Sequence, residues 1–190
     1  MKKLIISGIL IISSIASSAM AENYIIDTKG AHAFIQFKIK HLGYSWLYGR
    51  FNTFDGEFNY AKKNPQAATV KVNINTASLD SNHAERDKHL RGKDFLDVKQ
   101  FPTSTFVSTS FKEKENGTII IKGNFSLHGV TKEITINANH IGNGKDPWGG
   151  YRRGFAGTTT FALKDFKINY NLGPASEEVE ILLSIEGIRQ

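Results

Sequence analysis

Apolar and polar residues alternate with a period of two through most of the chain after residue 30. Successive side chains on a β-strand point to opposite faces, so each alternating run should have one apolar face and one polar face. The apolar positions in the clearest runs are Ile35, Phe37, Ile39, Val70, Val72, Ile74, Phe125, Leu127, Ile181 and Leu183. The pattern predicts a short strand at 23–27 and then eight main strands, at 31–40, 48–60, 68–75, 104–114, 118–127, 132–141, 153–164 and 178–189.

One segment lacks this alternation. Residues 81–90 read SNHAERDKHL and are rich in helix-forming residues. Ser81 or Asn82 can cap the amino end, and Gly92 can end the helix. We therefore predict one short helix near 82–91, inserted between the third and fourth main strands.

Turn-forming residues separate most of the predicted strands, and the segment Glu115-Asn116-Gly117 is typical of a hairpin turn. Many strands joined by hairpins, with a single helix, favour an all-β fold in which an eight-stranded antiparallel sheet closes into a barrel. Closure removes the unpaired strand edges through which sheets aggregate. A barrel of this size can be filled by side chains or can hold one small ligand.

The amino terminus has the features of a secretory signal peptide. Lys2 and Lys3 precede the apolar run 4–12, and Ala19-Met20-Ala21 provides a small-x-small cleavage site. The apolar run is nine residues long, whereas a membrane-spanning helix needs about 20. We therefore assign residues 1–21 to the signal peptide and expect residues 22–190 to form one domain.

Charge and cysteine content narrow the possible partners and the compartment. The formal charge of the chain is +6, and removal of the two signal-peptide lysines leaves +4. The basic residues are scattered, which argues against nucleic acid as a partner, but a mild positive charge favours transient contact with an anionic membrane surface. The chain has no cysteine, so disulfides and a lipid-modified cysteine are both excluded. Export without disulfides suggests the bacterial periplasm.

The polar residues of the predicted helix region do not form a convincing metal or catalytic site. His83 and His89 are six positions apart and point to different sides of a helix. The pairs at helical spacing offer two ligands, and a zinc site needs three or four. The chain has no Gly-x-Ser-x-Gly motif and no glycine-rich phosphate loop. We therefore expect neither an enzyme nor a metal site. One alternative is a solvated helix with internal charge pairs, and the other is that Arg86, Asp87 and His89 form a buried network that fixes the helix across one end of the barrel.

Two predicted loops are rich in aromatic residues. His41, Tyr44 and Trp46 lie between the first two main strands, Tyr48 begins the second of them, and Trp148 lies in a second loop at 146–151. Trp and Tyr combine an apolar face with a polar tip, so both loops could cover the mouth of a cavity. The alternative is that these aromatics are ordinary packing residues.

Four segments of the chain resemble the YceI-like family. They are FKIKHLGYSWLYGRFNTFDGEF (37–58), NINTASLDSNHAERDKHLRGKDFLDVKQFPTSTF (73–106), GNFSLHGVTKEITI (123–136) and GFAGTTTFALKDF (154–166). The most specific motif is Arg-Asp-x-His-Leu-Arg at 86–91. Gly92 and Lys167 depart from the family's common residues, but neither change removes an apolar wall position. The resemblance covers essentially the whole chain after the predicted signal peptide.

The resemblance implies a lipocalin-like antiparallel barrel with an apolar tunnel, a periplasmic location, and a bound polyisoprenoid or isoprenoid quinone as ligand. No cofactor is then required. The ten alternating apolar residues given above would line the tunnel. The headgroup would lie at a mouth formed by His41, Tyr44, Trp46, Tyr48, Arg86, Asp87, His89, Arg91 and Trp148.

Three functions remain open at this point. The first is a monomeric or dimeric carrier, store or shield for an isoprenoid lipid. The second is an envelope stress protein with a filled barrel that acts through protein partners. The third is an enzyme that acts on a bound isoprenoid, for which the region of Arg86, Asp87 and His89 would have to supply the reactive group.

Overall fold

The computed structural model describes residues 21–190, so the predicted signal peptide lies outside the described residues except for Ala21. The strands are β1 (Glu22–Ile26), β2 (Phe34–His41), β3 (Ser45–Phe51), β4 (Phe54–Tyr60), β5 (Thr69–Asn75), β6 (Leu79–Asp80), β7 (Thr103–Glu113), β8 (Thr118–Leu127), β9 (Val130–Lys145), β10 (Tyr151–Ala162) and β11 (Glu178–Arg189). One α-helix, α1, spans Ala84–Leu90. Four short 3-10 helices span Pro65–Ala67, Thr76–Ser78, Leu163–Phe166 and Pro174–Ser176.

These strands form one closed antiparallel barrel, which confirms the predicted all-β, eight-stranded, lipocalin-like architecture. The ring of paired strands runs β1-β4-β5-β7-β8-β9-β10-β11, and β11 pairs again with β1. The second half of β11 pairs with β1 and its first half pairs with β2. β1 and β2 are therefore two parts of one interrupted wall strand. A second interrupted wall strand is formed by β3 and β4, which are separated by residues 52–53. It matches the single strand predicted over 48–60.

The barrel has two different ends. The helix end contains the β2–β3 turn (42–44), the segment 81–102 with α1, and the β8–β9 turn (128–129). The floor end contains the β4–β5 connection (61–68), the β7–β8 turn (114–117) and the β9–β10 loop (146–150). At the floor end, strand pairing is continuous around the ring. Towards the helix end, β6 pairs with β3 and with no other described strand.

The predicted helix is present but shorter, and its amino-terminal cap differs from the expectation. His83, rather than Ser81 or Asn82, is the cap: its Nδ1 accepts a hydrogen bond from the backbone N–H of Arg86 at 3.2 Å. Asn82 has a positive φ of 61°, so the chain turns sharply at this residue before the helix begins. Ser81 is instead buried against Asp87. The helix is too short to be stable alone and depends on these tertiary contacts.

The hairpin at Glu115-Asn116-Gly117 forms as predicted, with Gly117 at a φ of +81° in the left-handed region that glycine adopts without strain. In the described part of the chain, no helix has both the length and the apolar composition needed to cross a membrane.

Candidate functional site

An apolar cavity of about 440 Å³ lies inside the barrel. All ten of the alternating apolar residues predicted to face a tunnel line this cavity: Ile35, Phe37, Ile39, Val70, Val72, Ile74, Phe125, Leu127, Ile181 and Leu183. The register explains their common direction, because Ile35 lies opposite Leu183, and Phe37 opposite Ile181, across the β2–β11 pair. Directly opposite residues in an antiparallel pair point to the same face. These residues therefore present an apolar surface to the cavity.

Phenylalanines that were not predicted from the sequence to line the cavity form a large part of its wall. Those that line the cavity are Phe51, Phe58, Phe95, Phe106, Phe111, Phe155 and Phe161. The alternation carried a signal for some of them. Phe155 and Phe161 lie on β10 at the same parity, and Ile185 and Val179, their partners on β11, also line the cavity. Phe95 follows α1 and has no periodic signal.

The floor end of the cavity is closed by tyrosine and arginine side chains. Tyr24 is fully buried, and Tyr60 and Arg153 are each 8% exposed. The Arg153 guanidinium lies 4.4 Å from the centre of the Tyr60 ring, and its Nε donates a hydrogen bond to the Tyr24 hydroxyl at 3.3 Å. Burial raises the pKa of both tyrosines, so these hydroxyls stay neutral. Among residues 21–190, Arg153 has no carboxylate within ion-pairing distance, and the tyrosine ring faces compensate part of its charge.

The opening of the cavity lies at the helix end and carries several polar groups. Of the predicted mouth residues, His41, Arg86 and His89 line the cavity. His89 packs edge-on against Phe95, with ring centres 5.0 Å apart, and its Nε2 lies 3.3 Å from an Asp94 carboxylate oxygen. These groups place hydrogen-bond donors at the opening of a cavity that is otherwise apolar. Other parts of the rim come from Lys40, Leu42, Leu90, Leu96, Leu172 and Ser176.

Asp87 and Arg91 anchor the helix and are not among the cavity residues. The Asp87 carboxylate is buried and accepts hydrogen bonds from the backbone N–H of Ser81, at 2.9 Å, and from its hydroxyl. Arg91 donates to the carbonyl oxygen of Leu79 at 2.7 Å. The Arg86 Nε donates to the Ser81 hydroxyl at 2.7 Å. The buried network anticipated for Arg86, Asp87 and His89 therefore joins Arg86 and Asp87 through Ser81, whereas His89 lies apart from it.

The four predicted mouth aromatics do not line the cavity. Leu47 lies opposite Ile39 and faces inward, so its neighbours Trp46 and Tyr48 face outward. The side chains of Lys38 and Lys40 accordingly lie over the Trp46 ring, at 4.9 and 5.8 Å from its centre. Tyr44, in the turn, is 87% exposed.

Trp148 lies in the β9–β10 loop at the floor end, so the structure does not bring it to the helix-end opening. It is 77% exposed and lies over the Arg152 guanidinium. The expectation that both aromatic loops cover one mouth was therefore wrong. The β2–β3 turn and the β9–β10 loop lie at opposite ends of the barrel.

Asp27, His32 and Glu186 form a polar cluster on the outer wall with the geometry of a possible metal site. The Asp27 carboxylate already accepts hydrogen bonds from the Arg152 guanidinium at 2.6 Å and from the backbone N–H of Gly30 at 2.8 Å. The Nδ1 of His32 lies 2.9 Å from it. These bonds, led by that of His32, lower the pKa of Asp27 to about 2. Arg152 contacts Glu186 as well, so a guanidinium supplies the positive charge that a metal would otherwise bring.

The chain is similar to proteins of one family along almost all of its described length. A family model described as a YceI-like domain matches residues 24–187. A UPF0312 protein of Pseudomonas aeruginosa is 63% identical over 175 residues, covering 92% of this chain and 91% of that protein.

Two solved structures share the fold. The Campylobacter jejuni YCEI protein superposes with a TM-score of 0.71 at 25% identity, covering 80% of this chain and 90% of that one. A polyisoprenoid binding domain from Saccharophagus degradans has a TM-score of 0.64 at 12% identity, covering 88% and 98%. Because the family model matches residues 24–187 and the closed barrel is shared with these structures, the chain belongs to the YceI-like family.

Proposed function

We propose that this protein is a binding protein that holds one long isoprenoid lipid, a polyisoprenoid or an isoprenoid quinone, inside its barrel. The observation that carries the proposal is the cavity of about 440 Å³ with an almost wholly apolar wall. The likeness to a domain that binds polyisoprenoid supports this ligand class. A barrel filled by its own side chains, acting only through protein partners, is harder to reconcile with a cavity of this size.

The energetics and the dimensions of the barrel suit a long hydrocarbon chain. Burial stabilises apolar surface by roughly 25 cal/mol per Å², so a prenyl chain that buries ~400 Å² gains roughly 10 kcal/mol from transfer alone. The 11 residues of β7 correspond to a strand of roughly 36 Å before tilt. An extended chain can therefore lie along the barrel axis in contact with wall residues throughout its length.

The distribution of polar groups sets the orientation of the ligand. The floor is closed by Tyr24, Tyr60 and Arg153, and Arg153 does not line the cavity. Arg86 and His89 line the opening at the helix end and carry N–H donors. The prenyl tail then points towards the floor, and a carbonyl or phosphate head lies beside Arg86 and His89.

A binding role fits the arrangement better than catalysis. Asp87, the buried carboxylate of the helix, accepts its hydrogen bonds from Ser81 and does not line the cavity. The predicted export signal supports a periplasmic location, where such a carrier would store, shield or move a lipid that is insoluble in water and would load it at a membrane surface. One barrel encloses a complete cavity, so a monomer suffices for binding.

Lipid extraction tests the proposal. Protein purified from the periplasm of its own host, without detergent, should yield about one prenyl lipid per barrel in organic extracts analysed by mass spectrometry. Delipidated protein should bind prenyl alcohols with an affinity that rises with chain length and then levels off when the cavity is full. Extracts without prenyl lipid, together with an affinity independent of chain length, would exclude the proposal.

A further inference from the structure

An exposed apolar patch borders the opening of the cavity on the outside of the barrel. It consists of Leu42, Tyr44, Trp46 and Tyr48, on the β2–β3 hairpin, and we call it the rim patch. These side chains are 55%, 87%, 48% and 57% exposed. Four large apolar residues exposed next to one another in a seven-residue segment form a continuous patch, and such patches mark surfaces that meet another apolar phase.

The rim patch is continuous with the opening. Leu42 belongs both to the patch and to the lining of the cavity, and His41 beside it also lines the cavity. The hairpin is held in place from below, because the Ser176 hydroxyl donates a hydrogen bond to the carbonyl oxygen of Lys40 at 2.6 Å. A phase that covers the patch therefore also reaches the mouth through which a lipid would pass.

Positive charge accompanies these aromatics. Lys38 and Lys40 lie over the Trp46 ring. Lys38 is paired with Glu180 at 2.8 Å, and this bond raises its pKa. Lys40 has no ion pair within the described part of the chain, so its ammonium group is available to a partner of negative charge. Trp and Tyr beside a lysine are the side chains that anchor proteins at the headgroup level of a bilayer.

We infer that the rim patch docks the helix end of the barrel onto the surface of a bilayer that contains anionic lipid. Docking there places the opening against the membrane and the floor towards water. The inference rests on the proposed function, because it assigns the face through which the isoprenoid is loaded and released. The aromatic rings supply apolar contact at the headgroup level, and Lys40 supplies electrostatic attraction.

The two tryptophans of the chain make the docking face directly measurable. Trp46 lies at the helix end and Trp148 at the floor end, and both are exposed. Trp148→Phe leaves Trp46 as the reporter, and Trp46→Phe leaves Trp148. Each variant is mixed with vesicles of phosphatidylethanolamine and phosphatidylglycerol, and the emission maximum and the quenching by brominated lipid are recorded.

We expect Trp46 to shift to shorter wavelength and to be quenched, whereas Trp148 keeps the emission that it has in water. Lys40→Gln should reduce partition into these vesicles roughly fivefold. Lys145→Gln, the same change at an exposed floor-end lysine, should leave partition unchanged. A shift of Trp148 alone, or of neither tryptophan, overturns the inference. A shift of Trp46 with rising protein concentration in the absence of vesicles also overturns it, because the patch would then join two copies of the chain.

The lipid content of the same samples separates the two proposals. A barrel that retains a prenyl lipid while Trp46 stays in water refutes the docking face and leaves the binding function intact. A barrel without prenyl lipid, whose affinity for prenyl alcohols is also independent of chain length, refutes the binding function; if its Trp46 still enters the vesicle, the docking face stands.

Discussion

A charge placed on the cavity wall should destabilise the protein in a manner that depends on pH. Leu183 faces the cavity, and its cross-strand neighbours are Gly157 and Ile35. Ser184, the next residue, faces outward and is exposed. Leu183→Asp therefore introduces a carboxyl group into an apolar interior, and Ser184→Asp introduces the same group on the outer face.

The size of the effect follows from the proton that the buried carboxyl must take up. Protonation at pH 7 of a group with an ordinary pKa near 3.9 costs at most about 4 kcal/mol, at ~1.36 kcal/mol per pKa unit. The loss of the partly buried leucine adds at most about 2 kcal/mol. We expect Leu183→Asp to lower the free energy of unfolding by up to about 6 kcal/mol at pH 7, and Ser184→Asp by less than about 0.5 kcal/mol.

Urea unfolding at several pH values provides the assay. The pKa of the new carboxyl group is raised in the folded state, so the folded state binds the extra proton and the variant regains stability as the pH falls. Its deficit should shrink by up to ~1.4 kcal/mol per pH unit between pH 7 and the ordinary pKa. Leu183→Asn, which cannot titrate, should show a constant deficit. Equal deficits for Leu183→Asp and Ser184→Asp, or a deficit independent of pH, would refute the assigned strand register. Lipid retention should fall with Leu183→Asp and persist with Ser184→Asp.

Two further changes test other parts of the structure. The pKa of Asp27, lowered chiefly by its hydrogen bond with His32, is about 2, so Asp27→Asn should cost about 2 kcal/mol at pH 7. This difference in the free energy of unfolding should shrink as the pH falls from 4 to 2, because the wild-type carboxylate then becomes protonated too. A difference that stays constant over this range would contradict the lowered pKa of Asp27. Gly187→Ala would place its Cβ 2.4 Å from a Phe58 ring carbon and should lower the free energy of unfolding by about 1–3 kcal/mol. Gly142→Ala, which meets no atom within 4 Å, should have little effect in the same urea titration.

The alternation of apolar residues predicts the wall well because strand geometry leaves little freedom. A residue such as Phe37 or Leu127 has only two faces available, and the apolar one must be turned away from water. The direction of each wall residue is therefore fixed by its neighbours along the chain. The break between the strands at 23–27 and 31–40 was predicted this way, but their union into one wall strand was not, because the turn between them depends on hydrogen bonds to Asp27 from Gly30 and Arg152.

The position of Trp148 could have been obtained from the sequence by counting connections. In an up-and-down barrel, successive connections alternate between the two ends. The predicted loop at 41–47 is the first connection and the helix lies in the third, so both belong to one end. The loop that contains Trp148 is the sixth and belongs to the other. The outward direction of Trp46 required the true start of β3, at Ser45, which aromatic content alone does not reveal.

The difference between the two ends of the barrel determines where a lipid can pass. At the floor end, the ring of paired strands is continuous, and the fully buried Tyr24 packs with Tyr60 and Arg153 across the cavity floor. At the helix end, no described strand pairs with the far edge of β6, and the segment 81–102 closes the wall there through side chains such as Leu90 and Phe95. Side-chain packing can open and close without breaking a strand ladder. The end that carries the exposed rim patch is therefore also the end where the ring of paired strands is incomplete and side chains complete the wall.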